Sequence, residues 1–395
     1  MSKTILEGVR VLDFGRYVAG PFCAAQLADL GADVIRIERI DGGEDRYVYP
    51  VSAAGDGAIF LQSNRNKRGM TLDMKAPGGQ AVLHRLVASA DVVIANLPPA
   101  TMAEMGLDYE SVKAVRPDII LTAISAFGPT GPYAERVGFD GIGQAMSGAV
   151  WMSGTPGLPM KSFASWVDFA TALFASQATL AALLDRNRTG LGCEIQASLF
   201  GSALSVFNYP LLEEALTGIG RQSSGNRAQS GGPSDAFRTR DGWIMLQVLG
   251  DPIFRRWTRL IGESHWLEDP RFATDDLRSQ NGAALSERTA QWAAGLTTRE
   301  ALDALAAARL PAGPILSPRE VMQDVHVREA EMFTPMDYPG VDKPVPIALS
   351  AARLVGTPQA VRLRAPTLGE HTDEVLTSLG YSREDIAQLR AARVV

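Results

Sequence analysis

The chain has 395 residues, 46% hydrophobic and 21% charged, with a formal net charge of −6. That length exceeds what one core usually covers, which implies two domains. The slightly acidic balance, with no basic stripe, excludes nucleic acid and leaves small molecules or a second copy of the chain as partners.

Cys23 and Cys193 and the four scattered histidines, His84, His265, His326 and His371, lack metal-ligand spacing. A reduced protein without metal is therefore expected. No segment approaches the about 18 uninterrupted apolar residues of a membrane span, and MSKTILEGVRVLDFG has no apolar leader core. These features point to the cytoplasm and to no membrane partner.

In chain order, Val9 to Phe14 reads as a short strand, Pro21 to Leu30 as a helix and Asp33 to Arg39 as a second strand. A helix around Gly79 to Ala90 follows, then a strand Asp91 to Asn96. Helical segments at Ala100 to Met105 and Tyr109 to Val115 precede the apolar strand Asp118 to Ala126. Strands alternating with helices imply a doubly wound, mostly parallel α/β sheet of Rossmann-like kind, which binds ligands beyond the carboxyl ends of its strands. The loops after Phe14, Arg39, Asn96 and Ala126 are the places to look. Glu38 ends the second strand where a dinucleotide fold keeps a ribose-binding acid. The first turn, DFGRYVAGP, lacks GxGxxG, so Glu38 is read as a salt-bridging strand end.

Phe169 to Leu184 is apolar nearly all round and reads as a buried helix that stops near Thr189-Gly190. Asp168, at its first turn, is followed by no other acid until Asp185. An Asp there caps a helix. The same N–H groups would keep a half-buried carboxylate ionised, as a nucleophile requires. Both readings stay open on residue type. Beyond Cys193 to Ala197, a strand, and a helix to Val206, the Gly- and Ser-rich residues 213–234 read as a linker. A hairpin turn at Arg240-Asp241-Gly242 and helical patterns at Pro252 to Ile261, Ala284 to Ala294 and Thr298 to Arg309 make 235–331 a smaller α+β domain. Residues 332–349, with the Pro-rich Pro335 to Pro346, read as a second linker, and 350–395 returns to the large domain of 1–212.

These residues resemble the class III coenzyme A transferases of the CaiB/BaiF type, the group that includes formyl-CoA transferase. The resemblance rests on DFGRYVAGPFCAAQLADLGADVIRIER, NRNKRGMTLDMK, ANLPPATMAEMGLDY, GFDGIGQAMSG, the Asp168 segment and LGEHTDEVL, which together span nearly the whole chain. It implies an acyl-CoA:carboxylate CoA-transferase that uses coenzyme A as substrate and holds no permanent cofactor. By position it implies Asp168 as nucleophile and Asp140 as a second acid beside it. Val18, Ala19, Arg39, Leu72, Lys75, Asn96, Leu97 and Met105 would be cofactor contacts, and Gly231-Gly232 part of a mobile loop over the site. It also implies an interlocked homodimer.

Two positions depart from the formyl-CoA transferase pattern. Glu104 stands where that pattern has Arg, and Val18 where it has Gln. The related 2-methylacyl-CoA racemases carry a His directly before the acid matching Asp140, where this chain has Phe139, so an epimerase would lack its second base. A non-catalytic acyl-CoA binder is the remaining alternative.

Overall fold

In the computed structural model, residues 4–357 and 360–395 are described. Six strands form one sheet: β1 (Arg10–Asp13), β2 (Asp33–Glu38), β3 (Lys67–Thr71), β4 (Val92–Ala95), β5 (Ile120–Ser125) and β6 (Glu194–Ser198). Their order across the sheet is β3-β2-β1-β4-β5-β6 and every pair is parallel. Strands buried on both faces can be apolar at consecutive positions, and β4 (VVIA) is buried throughout.

Helices cover both faces. One face carries α1 (Ala19–Asp29), α6 (Trp166–Thr189) and α7 (Leu199–Val206) around Cys23, Leu27, Ile94, Ile124 and Ala175. The other carries α2 (Gly79–Ala88), α3 (Pro99–Met105), α4 (Tyr109–Val115) and the C-terminal helices Thr372–Ser378 and Arg383–Ala391, packed around Leu83, Val93 and Leu121.

β3 belongs to the NRNKRGMTLDMK motif and is not legible as a strand in the sequence, because its charges are inside. Lys67 is fully buried and donates to Asp13 Oδ2 (2.7 Å), the Pro21 carbonyl (2.7 Å) and Asn64 Oδ1 (2.9 Å). Asn66 Oδ1 accepts the N–H groups of Arg362 and Leu363, and its Nδ2 donates to the Ala360 carbonyl. The motif therefore ties the returning C-terminal segment to the sheet. Glu38 is locked in a buried pair with Arg46 at 2.7 Å, which removes it as a ribose ligand.

The chain divides into two compact units. The larger comprises Met1–Ser147, Ser162–Leu212 and Glu329–Val395, the smaller Gly148–Lys161 and Glu213–Arg328. The smaller unit holds the antiparallel pair Ser234–Arg238 and Trp243–Gln247, joined through the turn at Arg240-Asp241-Gly242, and a core built on Phe254, Trp257 and Phe272.

Two expectations are corrected. Pro335 to Pro346 is a two-stranded ladder, Phe333–Met336 against Val345–Ala348, in which Pro335 faces Pro346. Prolines, which lack an N–H, are tolerated in an edge pair of this kind. Helix α6 is not buried all round: Val167, Thr171, Ala175 and Thr179 face the sheet, while Leu173, Phe174 and Leu184 are exposed. Its length and composition would suit a membrane span, but its inner face packs on α1, α7 and β5, as in a core helix. Gly231 and Gly232 are buried in the smaller unit, where a Cβ on Gly231 would meet Leu249 Cδ1 at 2.8 Å. Neither has the left-handed backbone that only glycine adopts freely. The end of the exposed Leu249 side chain can move aside and a Cβ on Gly232 would meet nothing closer than 3.4 Å, so packing does not demand glycine at either position.

Candidate active site

The strand order reverses its direction of growth between β1 and β4, and the loops leaving these two strands diverge to open a crevice there. A cavity of about 310 Å³ lies in it. Its walls are Arg16 to Ala19 after β1, Asn96 to Pro99 after β4, Ile124 to Ala126 at the end of β5, the segment Ala134 to Phe139, and Leu199 and Asp168. Three of the four loops singled out from the sequence meet here. The fourth, after Arg39, borders a smaller cavity of about 80 Å³ that includes Arg39, Leu72, Leu97 and Met105. Arg16 and Leu97 line both.

The turn after β1 is held rigidly. Gly15 and Gly20 approach so closely that a Cβ on Gly20 would lie 2.8 Å from Gly15 Cα. Asn96 commits its whole amide to the turn, its Oδ1 accepting the Arg16 N–H and its Nδ2 donating to the Arg16 carbonyl at 2.8 Å. Asn96 thus shapes the wall rather than offering a free polar group. From below, the buried Arg36 donates to the Gly15 carbonyl and to Asp45 Oδ2. Arg16 itself donates to Asp45 and Glu44, and it was not foreseen as a site residue, although it stands inside the first motif. Val18 and Ala19 line the cavity as buried apolar groups. Arg39 is half tied up by the Gly42 carbonyl and Asp41. Lys75 is exposed and lines neither cavity.

Asp168 is the third residue of α6, and its side chain accepts no hydrogen bond among the described residues. The helix is not capped by its own Ser165. The cap comes from a different helix, α5 (Asp140–Met146): Asp140 Oδ1 accepts the N–H of Val167 at 2.8 Å and of Asp168 at 3.2 Å. The capping role weighed for Asp168 therefore falls to Asp140, which is 7% exposed and does not line the cavity. Asp140 thus anchors the first turn of α6 from behind the cavity wall.

This reverses the expectation for ionisation as well. With the helix N–H groups engaged by Asp140, burial, and after it the neighbouring Asp140 charge, push the Asp168 carboxyl up to about 7. Groups poised near neutrality in a cleft are characteristic of reacting side chains. Of the apolar neighbours of Asp168 in the chain, Phe163 is exposed, whereas Val167 is fully buried. No histidine lines the cavity.

The sequence profile of CoA-transferase family III matches residues 6–372. The chain belongs to this family. Among its relatives, the succinyl-CoA–D-citramalate CoA-transferase of Chloroflexus aurantiacus is 33% identical over 99% of this chain and 98% of its own. The succinate–glutarate CoA-transferase of Agrobacterium fabrum is 34% identical over 95% of this chain and 96% of its own. A CaiB/BaiF family protein from Brucella suis superposes with a TM-score of 0.84 at 32% identity, covering 96% of this chain and 100% of that one. The motifs that carried the resemblance divide between two jobs in this family III chain: NRNKRG builds the buried frame, and DFGRYVAGP and GFDGIGQ build the crevice and hold Asp168 at its edge.

Proposed function

We propose that this CoA-transferase carries coenzyme A from an acyl-CoA donor to a free carboxylic acid through covalent intermediates on Asp168. The observation that supports this reading is a carboxylate without a hydrogen-bond donor among the described residues, raised to about 7, at the wall of a largely apolar cavity. A raised carboxyl is half ionised at neutral pH and more nucleophilic as an anion than an ordinary one.

In the proposed sequence an Asp168 carboxylate oxygen attacks the thioester carbonyl, the C–S bond breaks, and a mixed anhydride and CoA thiolate result. The thiolate attacks the Asp168 carboxyl carbon, the donor acid leaves as a carboxylate, and aspartyl-CoA thioester remains. The acceptor carboxylate attacks that thioester, displacing thiolate and forming the second anhydride. Thiolate then attacks the acceptor acyl carbon and frees Asp168. Water would hydrolyse either intermediate, and the apolar walls of Tyr17, Val18, Leu97 and Phe139 limit its access. The smaller cavity, bordered by Arg39, Leu72 and Met105, is the proposed continuation of the coenzyme site.

The acyl group is proposed to be that of a short dicarboxylic acid. Relatives are named for succinyl-CoA, citramalate and glutarate. Arg136, at the cavity wall and stacked on Tyr133 at 4.2 Å, supplies a cation for the second carboxylate. Incubation with a panel of acyl-CoAs and free acids, followed by mass spectrometry of the CoA esters, tests both statements. Exchange between short dicarboxylic partners is expected. Chirality loss without exchange, or no turnover at all, contradicts the transferase reading. Exchange confined to monocarboxylic acids contradicts the role of Arg136.

The enzyme is further proposed to act as an interlocked homodimer. Helix α8 (Asn208–Thr217) has no buried residue, and its Tyr209, Leu212 and Leu216 are exposed, as are Leu173 and Phe174 on α6. Apolar surface on this scale calls for a covering partner. Sedimentation should give a dimer that does not dissociate on dilution short of unfolding; a freely exchanging monomer would contradict it.

A further inference from the structure

Helix α5 presents Asp140 and Gln144 on one face, since residues four apart stack along a helix. Gln144 is 1% exposed and both polar atoms of its amide are used. Its Nε2 donates to Asp140 Oδ2 at 2.5 Å and to the Ala164 carbonyl at 3.3 Å, and its Oε1 accepts the Ser162 N–H at 2.9 Å. The two oxygens of Asp140 are thereby divided. Oδ2 is held by Gln144, and Oδ1 is turned to the Val167 and Asp168 N–H groups. α5 and α6 also meet without slack, because a Cβ on Gly143 would lie 2.9 Å from Val167 Cγ1.

We infer that Gln144 is a positioning residue for the transfer reaction: by fixing the Asp140 side chain and the segment leading into α6, it sets both the place and the basicity of the Asp168 carboxylate. The inference rests on the proposed role of Asp168, but its mechanism is separable from that role. If Gln144 releases Asp140, the helix N–H groups become free to face Asp168, and the Asp140 charge moves off. Both changes favour the ionised form. The remaining charged groups at the cavity are Arg16, which is paired with Asp45 and Glu44, and Glu44, Glu135 and Arg136. Gln144 and Asp140 take their hydrogen bonds from each other and from the backbone at Ser162, Ala164, Val167 and Asp168 instead.

Two substitutions displace the titration in opposite directions. Gln144→Met keeps the length of the side chain and abolishes its hydrogen bonds, so the Asp168 midpoint falls. Gln144→Glu keeps the acceptor for the Ser162 N–H but sets a carboxylate against Asp140, so the midpoint rises. In both, kcat drops roughly tenfold at pH 8 while KM for acyl-CoA changes less than about twofold, because the coenzyme walls lie elsewhere.

The Asp168 midpoint is read directly, without catalysis, by infrared difference titration of [13C]aspartate-labelled protein, with Asp168→Asn as the reference that identifies its band. A double-mutant cycle with Asp140→Asn completes the test. If Gln144 acts through Asp140, Gln144→Met has no further effect on the midpoint in that background. A midpoint that stays or moves the opposite way in either single variant, or full additivity in the cycle, overturns the inference. Exchange surviving in Asp168→Asn would instead refute the role of Asp168 and leave the titration result standing. Should one variant fail to fold, the other still decides, since each predicts its own direction.

Discussion

Replacing Asp168 by Asn is expected to lower CoA exchange by about 10³-fold or more, because the isosteric amide cannot attack a thioester. The same change should make the protein more stable at pH 8, which distinguishes this site from an ordinary helix cap. The sign follows from the raised carboxyl, at about 7 when folded against an ordinary 3.8. Between those values the folded chain binds more protons than the unfolded one, so wild-type stability falls as pH rises through this window. The neutral amide carries no such penalty. The variant should match wild type near pH 4 and exceed it by roughly 1–3 kcal/mol above pH 7, discounted for the partial exposure of the group. For the same reason wild-type kcat/KM should rise with pH through about 7, as the ionised form becomes populated. Denaturant unfolding and exchange rates measured across pH 4 to 9 check all three. A destabilised Asp168→Asn at pH 8 would mean that the fold favours the ionised carboxylate and that its pKa is not raised.

The second large effect is expected at Lys67. Its ammonium is held by Asp13, Asn64 and the Pro21 carbonyl, and burial lowers its pKa to about 8 despite the Asp13 carboxylate. Lys67→Met fills the same space but leaves the fully buried Asp13 with only Arg36, 3.7 Å away, as a countercharge. Breaking one side of a buried pair costs about 3–5 kcal/mol. Asp13 Oδ1 also accepts the Gly15 N–H, so the loss reaches the turn that forms the cavity wall, and exchange should fall with stability. Denaturant unfolding measures the first effect and CoA exchange the second. A variant as stable as wild type would show that the ion cluster under the turn does not support it.

Much of the larger unit was legible because its strands alternate with helices at regular spacing, and the crevice followed from the loops that such a sheet sends past its carboxyl edge. Asp168 was legible as an isolated acid at the start of an apolar run. The ionisation of Asp168 was not legible, because it depends first on how deeply the folded chain buries the carboxyl and then on the charge of Asp140, 28 residues earlier, which also takes the helix N–H groups. Nor was β3, since a strand with its charges inside and their partners on Asp13, Asn64 and Asp33 mimics a polar loop. Gln144 could have been found: it stands four residues after Asp140 within a motif already singled out, and that spacing puts both on one helix face. The exposed stripe of α6 could not, because an all-apolar helix gives no sign of which face the chain itself covers.

The most direct test of the account is covalent. Wild-type enzyme incubated with an acyl-CoA donor and no acceptor should accumulate aspartyl-CoA thioester or mixed anhydride, both of which hydroxylamine converts to a hydroxamate. Peptide mapping should place that hydroxamate at Asp168. A modification at Glu44, Glu135 or Asp140 instead, or none under conditions where exchange proceeds, would contradict it.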